Sequence, residues 1–409
     1  MKYKNEIVIT LIITILVLFL KLINVFQIEN SLGKPFIIVL MIICFSSITI
    51  FIQKNIDKNY NENKVHYQNL DILKYISAIL IMILHLRPFI NFSDQLDLAF
   101  NNIITRICVP IFFIITGYFV AKKEKNNENY IKDYIKKTTP LYLVWSLLYV
   151  PIILGTIIQY LPIINEYLSK INISLPLFII LSMLLLPFAI LIALCYTGTY
   201  YHLWYFPAII FSLLILKKWK NKFDIKYLLV ISFILLLFGA TETYYGVLPL
   251  SIKELLSYYY NIFFTTRNFL FFGLFYVVLG YFIGTKEKAY SKYCFAKLII
   301  SFFLLVFEAI LLHDINRLNS NILLSCVPLT YYLFISVIYI TNNIKLKFQF
   351  GNLSKYYYLI HPMIIFIISL LIKGISNYPY FNILIVLLIT HIISVLIIKL
   401  KKKNKKLIV

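Results

Sequence analysis

The chain has 409 residues, of which 61% are hydrophobic and only 14% are charged, and its mean hydropathy is +0.84. Such a composition excludes a soluble globular protein and predicts an all-α, polytopic membrane helical bundle. The net charge of +22 does not indicate a nucleic-acid partner, because the basic residues are spread over short loops that would face anionic lipid of the bilayer.

Mostly apolar segments of about 15 to 23 residues predict about twelve transmembrane helices. We expect a two-helix prefix at 1–60 and a ten-helix membrane domain at 61–409. The predicted spans begin near Glu6, Pro35, Ile72, Ile103, Thr139, His202, Lys226, Ile262, Leu298, Ile322, Lys355 and Phe381.

The basic residues predict the orientation of these helices. Most of the 39 Lys and Arg residues fall in loops on one side, which the positive-inside rule assigns to the cytoplasm together with both termini. A further apolar stretch at 175–195 would reverse this pattern if it crossed the membrane. We therefore expect it to be a re-entrant or interfacial element on the outer side, interrupted by Pro187.

Lys74 and His85 are the most informative pair in the chain. Eleven helical residues return to within roughly 20° of the starting direction and rise roughly 16 Å, so one helix face carries both groups, with Ser77 between them. We expect the imidazole near mid-depth, where it is a candidate general base. The alternatives are a histidine bonded to a backbone carbonyl or a neighbouring helix, and a lysine that reaches lipid headgroups.

The next span begins with Arg106 and contains Thr116 and Gly117. A small residue permits close helix approach, which is ordinary packing in membrane proteins. The guanidinium of Arg106 suits an oxyanion or an anionic substrate group.

An aromatic segment follows at 200–207, with His202, Trp204 and Tyr205 where an outer element enters a helix. It is typical of an interfacial aromatic belt, and it is also suited to stacking on a sugar ring. The local sequence does not separate these two interpretations.

Three further polar residues lie inside apolar spans: Arg267, Glu308 and His361, the last beside the helix-bending Pro362. A buried arginine and a buried carboxylate can neutralise each other as a structural pair, or either can serve catalysis. The five cysteines share no metal-ligand spacing, so we expect neither a disulfide framework nor a metal site.

Together these motifs resemble acyltransferase family 3, the polytopic inner-membrane O-acyltransferases, over about residues 70 to 400. The chain is also similar to the membrane domain of the serine racemases of vancomycin resistance. The family has an arginine at the position of Lys74, so the charge is kept here and the bidentate geometry is lost. The residues that carry the resemblance are Lys74–His85, Arg106–Pro110, Thr116–Tyr118, His202–Pro207, Thr266–Asn268, Gly273, Gly280–Tyr281 and Leu359–Pro362.

The resemblance implies a multi-pass enzyme of the bacterial plasma membrane that moves an acyl group, usually acetyl, from cytosolic acetyl-CoA to a hydroxyl of a cell-surface glycan or lipid-linked sugar. In that interpretation His85 is the catalytic base, and Arg106 and Arg267 stabilise the charge on the thioester carbonyl. The donor would be held by Lys74 and Ser77, and the acceptor by His202, Trp204, Tyr205, Glu308 and His361.

Two other functions stay open from the sequence. Twelve spans with intramembrane Arg, Glu and His also suit a transporter of serine or another amino acid, related to the racemase membrane domain. An inactive sensor or assembly scaffold is the third.

Overall fold

A computed structural model describes residues 67–90, 92–170, 174–286, 293–313, 320–339 and 349–407, without the side chains of 402–407. Every regular element in this part of the chain is a helix. The α-helices are α1 (Tyr67–Leu86), α2 (Asp94–Asp97), α3 (Cys108–Glu124), α4 (Tyr130–Lys170), α5 (Leu175–Ile192), α6 (Tyr205–Trp219), α7 (Ile225–Ala240), α8 (Leu250–Phe263), α9 (Leu274–Thr285), α10 (Cys294–Leu311), α11 (Cys326–Tyr339), α12 (Phe350–Leu371) and α13 (Pro379–Leu407).

Short segments of wider or tighter helix extend several of these elements. A π-helix at Leu98–Ile104 and a 3₁₀ turn at Thr105–Ile107 lead into α3. Two further π-helical segments, Ala193–Thr197 and Phe269–Gly273, follow α5 and precede α9. Because π-segments shift the helix register, they change the direction of the side chains around them.

Among the described residues, seven helical segments are long and apolar enough to cross a membrane, and three shorter apolar helices accompany them. The predicted all-α membrane bundle is confirmed, and each of the ten predicted core spans overlaps a helix. The total of twelve, the cytoplasmic termini and the division at residue 60 stay predictions. Both helices of the prefix lie outside the described residues.

The segment at 175–195 differs from its prediction. Instead of being interrupted at Pro187, α5 runs without a break through that proline, and it is one of the seven segments with the length and composition of a span. No residue of α5 is buried in the bundle. Proline is tolerated inside apolar membrane helices because only one backbone hydrogen bond is lost.

Helices α3 and α9 make the closest crossing in the bundle. A Cβ atom on Gly117 would lie 2.1 Å from the carbonyl oxygen of Val277, and one on Gly280 would lie 2.1 Å from that of Ile114. The two backbones therefore touch directly, which only glycine permits. The close approach predicted from Thr116-Gly117 is present, and it fixes the helix that carries Arg106 and Val109 at its start.

Helix α1 packs along α12, and this pairing sets the position of His85. Ala78 on α1 and Tyr357 on α12 are fully buried against each other. Helix α4 holds α12 from another side, because the Tyr149 hydroxyl donates a 2.8 Å hydrogen bond to the carbonyl oxygen of Leu359. His85 is the penultimate residue of α1. Its expected position near mid-depth of the membrane stays a prediction.

We expect Gly280→Ala to destabilise the protein by about 1 to 3 kcal/mol, because the new methyl group must push α3 and α9 apart. The measurement is thermal unfolding of the detergent-solubilised protein. Gly155→Ala in α4 is the matched control, since its Cβ would meet only the far edge of the Phe366 ring at 3.3 Å. Equal melting temperatures for the two variants would contradict this account of the crossing.

Candidate active site

A cavity of about 70 Å³ lies where α1, α3, α6 and α12 meet. We call it the histidine cavity. Its polar groups come from distant parts of the chain, which the bundle brings together. It is lined by Ile81, Leu84, His85, Thr105, Arg106, Val109, Tyr201, His202, Trp204, Arg267, Phe272, Asn321 and Tyr358.

Three histidines cluster at this cavity. The ring of His361 lies 5.5 Å from that of His85, with an interplanar angle of 18°, and 5.8 Å from that of His202. His361 Nδ1 lies 2.8 Å from the carbonyl oxygen of Tyr357. Because a carbonyl only accepts, Nδ1 carries the proton and Nε2 presents a lone pair.

Several nitrogens of this cluster are buried without a hydrogen-bond partner in the described part of the chain. They are Nε2 of His361 and both ring nitrogens of His202. Buried polar atoms are nearly always bonded, so such atoms beside a cavity indicate a place for a polar ligand or water. Within the described ranges, no group of three or more His, Cys, Asp or Glu side chains is arranged to hold a metal ion.

Two arginines direct positive charge into the same cavity. The Arg106 guanidinium donates hydrogen bonds to the Oδ1 atoms of Asn102 (3.1 Å) and Asn321 (3.3 Å). The Arg267 guanidinium lies over the indole ring of Trp204, 4.9 Å from its centroid. Both cations therefore have polar or aromatic support and still face the space beside His85.

Glu242 fixes the segment that carries Arg267. This buried carboxylate accepts hydrogen bonds from the backbone N–H of Thr266 at 2.8 Å and from its hydroxyl at 2.5 Å. The Thr265 hydroxyl donates to the same carboxylate at 3.2 Å. The negative charge of Glu242 also offsets part of the cost of burying the Arg267 guanidinium, without a direct ion pair between the two groups.

A second cavity of about 820 Å³ lies beside the first, and we call it the lysine cavity. Four lysines line it: Lys74, Lys123, Lys137 and Lys355. They lie in the first two or three turns of α1, α4 and α12 and in the last turn of α3, on the side that the positive-inside rule predicts to be cytoplasmic. Such a group of cations suits a ligand that carries several phosphates.

The two cavities share part of their walls. Val109 of α3 and Tyr358 of α12 line both of them. The Tyr358 hydroxyl donates a hydrogen bond to the backbone carbonyl of His202. The two cavities are therefore neighbours, and these two side chains form the wall between them.

The comparison with known families decides the class of the protein. A model of an acyltransferase domain matches residues 67–399 of this chain. The chain belongs to acyltransferase family 3. The matched range contains both cavities, and it confirms the resemblance found in the sequence. Membership of this family supports acyl transfer as the general type of reaction.

The chain is also similar to three curated racemases. One amino-acid racemase of Enterococcus faecalis is 27% identical over 349 residues, which cover 82% of this chain and 46% of the racemase. A second amino-acid racemase from the same organism is 31% identical over 246 residues, which cover 59% of this chain and 31% of the racemase. The serine/alanine racemase of Enterococcus gallinarum is 25% identical over 339 residues, covering 79% and 45%. The chain thus spans less than half of each of these relatives, and no solved structure matches it significantly.

The structure gathers most of the residues singled out in the sequence. His85, Arg106, His202, Trp204 and Arg267 line the histidine cavity, and His361 stacks beside it. Two others, Lys74 and Tyr205, line the lysine cavity instead. Tyr205 is the first residue of α6, and its hydroxyl lies 3.3 Å from that of Thr116. The aromatic segment is therefore divided between the two cavities.

Two predicted residues lie elsewhere. Ser77 is buried within reach of the Cys108 thiol and lines neither cavity. Glu308 accepts hydrogen bonds from the backbone N–H groups of Leu324 (2.6 Å) and Ser325 (2.7 Å), just before α11 begins. N–H groups at the start of a helix have no acceptor within the helix, and the Glu308 carboxylate supplies one. This is a structural role.

Other residues of the site were missed from the sequence. Glu242 was detectable as the one acid near the apolar end of α7, and it is Glu242 rather than Glu308 that accompanies Arg267. Tyr201, which belongs to the aromatic segment singled out in the sequence, lies 4.7 Å from the His85 ring, centroid to centroid. No sequence pattern marked Tyr358 or Asn321 as a site residue, because their place at the cavity depends only on which helices become neighbours. Lys123, Lys137 and Lys355 were counted as loop charges.

Replacing Glu242 by glutamine should destabilise the acyltransferase by about 1 to 3 kcal/mol. A glutamine amide has only one acceptor oxygen for the hydrogen bonds that Thr265 and Thr266 donate. It also removes the negative charge that acts on Arg267. Thermal unfolding in detergent measures the loss, with Glu254→Gln at an exposed site of α8 as the control. A Glu242→Gln variant as stable as this control would show that the carboxylate does not hold the segment.

Proposed function

We propose that this membrane protein is an O-acetyltransferase of the plasma membrane. It takes acetyl from acetyl-CoA, an acyl-CoA donor, in the lysine cavity and transfers it to a hydroxyl of a cell-surface glycan or lipid-linked sugar in the histidine cavity. The observation that carries the proposal is the contact between the two cavities at Val109 and Tyr358. A cationic chamber thereby meets a chamber that holds an imidazole and two guanidinium groups.

The lysine cavity suits the donor in charge and in size. Coenzyme A carries three phosphate groups, and the ammonium groups of Lys74, Lys123 and Lys137 provide separate cations for them. About 820 Å³ is within the range of cavities that bury most of a cofactor-sized ligand. The thioester end would then point toward Tyr358, between the phosphates and His85.

His85 acts as the general base in this proposal. Its imidazole takes the proton of the acceptor hydroxyl while the hydroxyl oxygen attacks the thioester carbonyl carbon. As the new C–O ester bond forms, the C–S bond breaks. The thiolate of coenzyme A then receives the proton from the imidazolium, which returns His85 to its neutral form.

Arg106 and Arg267 stabilise the transition state. Attack on the thioester places a negative charge on the carbonyl oxygen, and both guanidinium groups face that space. In a cavity that excludes bulk water, such fixed positive charge lowers the barrier more than it would in solution. His202 and His361 offer their unbonded nitrogens to the acceptor hydroxyls.

We expect His85→Ala to lower acetyl transfer by about 100- to 10,000-fold, the usual contribution of a positioned base. The assay follows the transfer of label from acetyl-CoA to membrane acceptors in the presence of the full-length protein. His313→Gln is the control, because this exposed histidine lies away from both cavities. Unchanged transfer by a folded His85→Ala variant would refute the mechanism.

Lys74→Ala should raise the KM for acetyl-CoA by about tenfold, which corresponds to one charge-assisted hydrogen bond. Lys74→Arg should keep KM at or below its original value, since it preserves the charge and adds a planar fork. Lys132→Ala is the control, because Lys132 is an exposed lysine of α4 that does not line the lysine cavity. If the two alanine variants gave the same KM, Lys74 would have no role toward the donor.

A second candidate function is transport of serine or another amino acid, favoured by the similarity to a relative named serine/alanine racemase. The same arginines would then bind the carboxylate of the solute. Uptake of labelled L-serine into proteoliposomes, lost in an Arg106→Ala variant, would support transport. Acetyl transfer without uptake would exclude it.

A further inference from the structure

The boundary between the two cavities is narrow and is formed by few atoms. Val109 projects from the first turn of α3, and Tyr358 projects from α12. Both side chains line the lysine cavity on one face and the histidine cavity on the other. If the proposed transfer occurs, every acyl group must pass or rest beside these two residues to reach His85.

Tyr358 is held firmly in this boundary. Its hydroxyl is bonded to the backbone carbonyl of His202, and its ring lies 5.5 Å from the His202 ring. The ring of Tyr205 is 5.9 Å away and that of Phe206 is 6.3 Å away. A side chain with one hydrogen bond and aromatic contacts on several sides has little freedom to move aside.

The space beyond the boundary is small. The histidine cavity measures about 70 Å³, about half of the roughly 150 Å³ that accommodates a benzene-sized guest. An acceptor oxygen and an acyl group must share this volume. Its walls combine the polar groups of Arg106 and Arg267 with apolar side chains such as those of Ile81, Leu84 and Phe272. The volume of the cavity, rather than its polarity, therefore limits the length of the acyl chain.

We infer that Val109 and Tyr358 act as a filter for acyl chain length, so that acetyl is transferred and butyryl or longer chains are not. This inference rests on the proposed transfer reaction, but it concerns the identity of the donor rather than the existence of the reaction. In the proposed reaction the donor phosphates bind the lysines of the lysine cavity rather than Val109 or Tyr358, so we expect the filter to act on turnover and to leave donor binding in place.

The first test uses the unaltered full-length protein in its membrane. Acetyl-CoA and butyryl-CoA are compared by the release of free coenzyme A and the labelling of acceptors. Because one methylene changes discrimination by about 10- to 200-fold in a tight pocket, we expect kcat/KM for butyryl-CoA to be at least about tenfold lower. Butyryl-CoA should still inhibit acetyl transfer competitively, since the lysine cavity holds its phosphates.

The second test widens the boundary. Val109→Ala should raise the butyryl-to-acetyl ratio of kcat/KM by about tenfold, by the same discrimination per methylene group. Val230→Ala, at a side chain 58% exposed on α7, is the matched control and should leave the ratio unchanged. Thermal unfolding and gel filtration establish that each variant is folded.

The possible results separate the inference from the proposed function. Loss of transfer with every acyl-CoA, in the native protein, would refute the function itself. Equal use of acetyl-CoA and butyryl-CoA by the native protein would overturn the filter and leave the function intact. An unchanged ratio in a folded Val109→Ala variant would also overturn it. If Val109→Ala does not fold, turnover and inhibition in the native protein still decide the matter.

Discussion

The cost of burying positive charge among apolar helices constrains the whole site. An arginine in such surroundings must be compensated by hydrogen bonds, a counter-charge or an aromatic ring. Arg106 meets this requirement through Asn102 and Asn321, and Arg267 meets it through Trp204 and Glu242. These partners come from several segments of the chain, so the compensation of two charges also fixes how those segments meet.

The type of cationic side chain changes from one cavity of the bundle to the other. Lysines line the larger cavity, and two arginines line the smaller one. Lysine suits a flexible anionic ligand that must enter and leave, whereas a fixed guanidinium suits charge that develops at one atom. The proposed function follows from this difference, with Tyr358 at the point where one environment gives way to the other.

Much of the fold was predictable because apolar length and basic loops are properties of the local sequence. The eleven-residue spacing predicted Lys74 and His85 on one face of a helix, and in the structure the two side chains line neighbouring cavities rather than a single one. The prediction that Pro187 interrupts the segment was wrong, because an apolar membrane helix tolerates one proline. The sequence also did not predict which acid lies near Arg267, since Glu242 and Glu308 differ only in which helices surround them. Ser77 was singled out for its position between Lys74 and His85, yet that position faces Cys108.

The central claim is that donor and base meet across Val109 and Tyr358. The most direct measurement is a structure, by electron cryomicroscopy, of the full-length protein with a non-transferable thioether analogue of acetyl-CoA. The account predicts phosphates among the four lysines of the lysine cavity and the acetyl carbonyl between His85 and the two arginines. An analogue bound elsewhere, or one whose acetyl group points into lipid, would contradict it.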